Sequence, residues 1–240
     1  MAIRHRIAAA LTLALLAACR TPAPPAAIDP ALSARVPAAT VALAGVDLDR
    51  LRASPLSGKL PPGALAFLAP FAHAHRVLIS STGAELLTIA RGVVPGASQI
   101  APDVALWGAP DLIAAASAAH APAAILAPAE SVAGGSPVWI AIRGGAALPL
   151  EGNLSNVNNL LRGAEYVTLT FDAGDPADLR LVARCTTPAA ALHFEQSFRA
   201  MVSTAAVHAS VLESVRIARE ERVVRVSLSA PLDALSKLVR

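Results

Sequence analysis

A chain of 240 residues holds one large domain or two small ones, and either can bury a core without disulfides or metals. Hydrophobic residues make up 55% and aromatic residues 3%, so the apolar mass is Ala, Leu and Val, which calls for closely layered elements rather than cores built on rings. The formal net charge is +3, of which Arg4 and Arg6 supply two units; a balance so weak and scattered excludes a nucleic-acid partner.

The first 18 residues open on Arg4, His5 and Arg6, continue through an apolar run from Ile7 to Leu16 broken only by Thr12, and end in Ala17-Ala18. A bilayer-spanning helix needs about 20 apolar residues and this run has roughly half, so a secretion signal is expected at 1–18, cleaved between Ala18 and Cys19. Leu16-Ala17-Ala18-Cys19 resembles the lipobox of bacterial lipoproteins. The resemblance implies that the Cys19 sulfur receives a diacylglyceryl group and that Cys19 becomes the acylated N-terminus, a membrane anchor of two or three chains. Arg20, where lipoproteins retained at the inner membrane carry Asp, implies the periplasmic face of the outer membrane. Residues 19–37 contain Pro22, Pro24, Pro25, Pro30 and Pro37 and read as an extended tether, about 3.1 Å per residue and roughly 50 Å in reach.

The body carries an internal echo. "VALWGAPDLIAAAS", from Val104, and "VSLSAPLDALSKL", from Val226, are each an alternating strand, an Ala-Pro turn and a helix with Asp in its first turn, where Pro and Asp suit the N-terminal end. A first unit is expected at 38–120, with a strand at 40–46, a helical region from Asp47 to about Phe71, hairpin strands at 76–81 and 85–92, and the echo. Residues 121–136 are rich in Ala, Pro and Gly and read as a linker. The second unit, 137–240, offers strands at 138–144, 165–172 and 178–185, a helix near 154–161, a long helix after Pro188 and a hairpin before a terminal helix. In that long helix Phe194, Phe198, Met201, Val202 and Ala205 share one face. The order β-α-β-β-α-β resembles the ferredoxin-like split βαβ plan, so the expected fold class is α+β: two tandem ferredoxin-like units, antiparallel sheets with helices on one face. One continuous sheet is the rival.

Catalytic signatures are absent: no nucleophile elbow, phosphate loop or dinucleotide fingerprint is present, and no catalytic residue, metal site or cofactor is expected. His73-x-His75 lacks a third ligand at a recognisable spacing. Asp47 and Asp49 open a helix, where capping explains them. Cys185 shares a strand face with Leu179, Leu181 and Ala183 and is expected inward and inert. By the same alternation Arg180, Arg184, Arg216, Arg225, Thr168, Thr170 and Ser227 project from the opposite face, an arrangement of guanidiniums and hydroxyls that can hold an anion. The expectation is a non-catalytic lipid-anchored envelope lipoprotein, an interaction or structural module with an envelope protein as partner. A ligand-binding or transport-accessory lipoprotein using the Arg-bearing face is the alternative.

Overall fold

The computed structural model describes residues 28–59, 66–118, 120–148, 155–206 and 210–236. Its strands are β1 (Ala42–Asp47), β2 (Ala74–Ser81), β3 (Leu86–Gly92), β4 (Ser98–Ala101), β5 (Val104–Gly108), β6 (Val138–Arg143), β7 (Ala164–Asp172), β8 (Ala177–Cys185), β9 (Arg216–Glu220) and β10 (Val223–Ala230). Its α-helices are α1 (Pro30–Ser33), α2 (Leu48–Ala53), α3 (Pro110–Ser117), α4 (Leu126–Glu130), α5 (Ser155–Arg162), α6 (Pro188–Ala206) and α7 (Leu232–Ser236). Local chemistry sets several starts: Asp29 and Asp47 cap α1 and α2 by accepting from the Ala31 and Arg50 amides, and α3 opens on Pro110 with Asp111 in its first turn.

All ten strands form one antiparallel sheet in the order β4-β5-β3-β2-β1-β6-β7-β8-β10-β9. The class is therefore mixed α and β with an antiparallel sheet, and the sheet is continuous. The strand order departs from the split βαβ plan, in which the first strand lies parallel to the third. Here β1 pairs antiparallel with β2 and β6, and β6 with β1 and β7. The connections that carry α2 and α5 each lead to the immediately neighbouring strand. Leu43 and Ala141 stand opposite each other and are both fully buried, so neither central strand is left as an edge.

Outward from the β1–β6 pair, both halves follow the same order of first, second, third, fifth and fourth strand. The two echo segments fall on equivalent elements, β5-α3 and β10-α7. The internal repeat is thus one of topology, a five-strand unit used twice.

Register partners share a face, which separates a front and a back. On the back, Leu160, Leu161, Ala191 and Phe194 of α5 and α6 cover Val167, Ala183, Val224 and Val226 in the second half, while Leu48 and Phe71 lie over Val77, Ala90 and Ala105 in the first. On the front of the first half, α1, α3 and α4 cover Leu43, Leu78, Leu87, Ile89, Val104 and Leu106. This front core absorbs two segments expected to lie outside the domains. Ile28, Leu32 and Val36 of the expected tether are buried in it, as are Ala123, Ile125 and Ala129 of the expected linker. Small side chains that read as spacer composition are here the ones that allow helix and sheet to approach closely.

Candidate functional site

Among the described residues the front of the second half has no helical cover comparable to the first; α4 lies against β6 and β7 near the middle of the sheet. Side chains alternate along β8, β10 and β7 from Tyr166 onward, with Leu179, Leu181 and Ala183 turned to the back. The seven residues expected on the other face do share it: Thr170 stands opposite Arg180, Arg180 opposite Ser227, and Ser227 opposite Arg216, with Thr168 and Arg225 one row further along and Arg184 beyond. Thr168 is buried at 3% exposure, whereas Arg180, Arg184, Arg216, Arg225 and Ser227 are exposed.

The charges on this face divide into two groups. Arg184 donates from Nε to Glu165 at 3.0 Å, Arg222 donates to the same carboxylate at 3.1 Å, and Arg225 pairs with Glu220 at 2.8 Å. Glu165 reaches this side at the irregularity in the β7–β8 register between Ala164 and Tyr166, which strand alternation alone does not reveal. Two of the four arginines of the expected anion face are therefore held by carboxylates of the chain itself. Arg180 and Arg216 have no carboxylate within 4.0 Å among the described residues. Arg180 lies in a cleft of about 270 Å³ between the sheet and the turn after α4, lined also by Ser131, Val132, Gly135, Ser136, Thr170, Asp172 and Asp178.

The other candidates resolve into structural roles. Cys185 is fully buried, and desolvation, with the nearby Glu165 charge, pushes its thiol up from the ordinary range. His75 pairs with Asp49 at 2.9 Å, and no group of three His, Cys, Asp or Glu side chains suited to a metal occurs among the described residues. Ala18 and Cys19 lie outside the described residues. Among the described residues no helix is long and apolar enough to cross a membrane. The exposed large apolar side chains, Leu86, Val93, Trp107 and Leu192, lie away from the front of the second half, which is polar.

No protein family and no curated protein matches the chain. The fold is similar to two solved structures of TP0453. Crystal form III superposes with a TM-score of 0.55 at 10% identity, covering 89% of this chain and 98% of that one. Crystal form I gives 0.50 at 11% identity over 89% and 97%. At that identity the likeness is one of fold alone, extending over nearly the whole of TP0453.

Proposed function

We propose that the protein is a non-catalytic, lipid-anchored component of a bacterial cell envelope whose second-half front face is an interaction surface. The observation that carries this reading is the contrast between the two fronts: one is buried by three helices, and the other, among the described residues, is open and bears charges without an ion-pair partner. The anchor rests on Leu16-Ala17-Ala18-Cys19. Because Ile28 already belongs to the core, at most residues 20–27 separate the lipidated cysteine from the folded body, a reach of about 25 Å at 3.1 Å per residue. Two or three acyl chains hold a protein on a bilayer far more firmly than one. Replacing Cys19 with Ser is expected to abolish incorporation of a fatty-acid analogue and to release the protein from membranes; labelling and membrane association that survive the replacement contradict the anchor.

A second reading, a ligand-binding or transport-accessory lipoprotein, is favoured by Arg180 and Arg216, which have no carboxylate partner among the described residues. Thermal shift against anionic metabolites tests it, since a ligand that binds only the folded state raises Tm. Shifts unchanged in the Arg180→Ala, Arg216→Ala double variant contradict this site.

A further inference from the structure

We propose that the cleft beside α4 binds a small zwitterion the size of a dipeptide, its ammonium held by Asp172 and Asp178 and its carboxylate by Arg180. This deepens the reading of the open face as the working surface and rests on it. Asp172 and Asp178 are direct partners across the β7–β8 ladder and therefore share the front face. Like charges in that position destabilise a sheet unless a cation lies between them. Neither carboxylate has an ion pair or a side-chain hydrogen bond among the described residues. Arg180, two residues along β8 on the same face, is also without a carboxylate partner. The cleft thus presents two acids in one row and a guanidinium in the next, none of them ion-paired among the described residues.

The spacing selects the ligand. The Cα atoms of alternate residues on a strand lie about 7 Å apart, so the acid pair and the guanidinium stand in neighbouring rows and suit a ligand that carries both charges at opposite ends. Thr170, in the same row as Arg180, and Ser136 line the same cleft and add hydroxyls to it. A volume of about 270 Å³ sits just below the usual range for pockets that hold drug-sized molecules, consistent with a small guest. Hydrogen bonds to charged groups contribute about 1.5–3 kcal/mol each, so removing one pole of the ligand is expected to weaken binding about 10- to 100-fold.

The test is a titration of the full-length protein, followed by NMR or calorimetry, with Ala-Ala, N-acetyl-Ala-Ala, Ala-Ala-amide and phosphoethanolamine. Ala-Ala is expected to bind, and each blocked form to bind about 10- to 100-fold more weakly. Arg180→Gln is expected to abolish the preference for Ala-Ala over the amide, and Asp172→Asn with Asp178→Asn to abolish the preference over the acetylated form. Circular dichroism establishes that the variants fold. Absence of Ala-Ala binding, equal binding of the blocked forms, or retention of both preferences in the variants overturns the proposal; tighter binding of phosphoethanolamine overturns it in favour of a lipid headgroup. The Cys19→Ser variant is expected to titrate identically, so a failure of the anchored reading leaves this result unaffected.

Discussion

The two halves of the sheet share a strand order and differ in what their front faces are made of. At β5 the front side chains are Val104 and Leu106; at the equivalent β10 they are Arg225 and Ser227. The backs of the same two strands are apolar in both halves, with Ala105 and Val226 buried. A single topology has thus been given a two-sided core once and a one-sided core once. The cover on the first front comes from segments outside the repeated five-strand unit: the chain before β1 and the connection between β5 and β6. Among the described residues the second half has no counterpart of these segments on its front. What remains exposed is a polar sheet face, and that difference is where the function is placed.

The contrast breaks most visibly under truncation of buried side chains. Ile89→Ala, on the covered front, is expected to lower stability by about 2–5 kcal/mol, whereas Arg180→Ala on the open front is expected to change it by no more than about 0.5 kcal/mol; urea denaturation compares them directly. Equal losses would mean that the second front is also buried in the protein as it exists in solution.

The seam between the halves is expected to be nearly as sensitive. Gly45 and Trp139 are cross-strand partners on β1 and β6, and a Cβ at position 45 would fall on the Trp139 indole. Gly45→Ala is expected to cost about 1–3 kcal/mol through overpacking, with a shifted tryptophan emission as its signature.

A weaker tie joins the halves at the surface. Lys59 contacts Asp175 at 2.9 Å and Asp233 at 3.2 Å. The Lys59 ammonium, with the Leu232 amide, holds Asp175 below its ordinary 3.8, and Asp175 and then Asp233 hold Lys59 above 10.5. A lowered carboxylate stabilises above its unfolded value and loses that contribution as pH falls through the folded one; a raised ammonium stabilises below its unfolded value and loses it as pH rises through the folded one. Asp175→Asn is therefore expected to lower the urea midpoint slightly at neutral pH, with the difference from wild type vanishing well below pH 3.8. Cys185 is expected to show no energetic effect but a clear chemical one: its buried, raised thiol stays unreactive toward a thiol reagent until the protein unfolds.

Much of this arrangement can be read in the chain, and the limits have physical causes. Alternation in "DLRLVARC" correctly turns Cys185 inward and the arginines outward, since side-chain direction along a strand is local. It does not say which strands are neighbours, so the order of β1, β2 and β6, and hence one sheet rather than two, depends on pairings made at long range. Composition fails at 28–36 and 121–136 because Ala, Pro and Gly serve spacers and tightly packed connections alike. β4 is missed because the four residues "SQIA", bounded by turn formers, carry too little pattern. The pairing of Arg184 with Glu165 depends on an irregular register that no periodicity reports.

If the second front docks against an envelope partner, as proposed, its accessibility falls when the protein is in place. With Cys185 buried and Cys19 expected to be lipidated, a cysteine introduced at Ser227 on the open front or at Leu192, exposed on α6 at the back, is the sole reactive thiol. The rate of labelling by a water-soluble thiol reagent would be compared between purified protein and intact envelopes. The Ser227→Cys thiol is expected to be protected in the envelope while the Leu192→Cys thiol labels at the same rate in both; equal labelling of Ser227→Cys in the two settings rules out a docked second front.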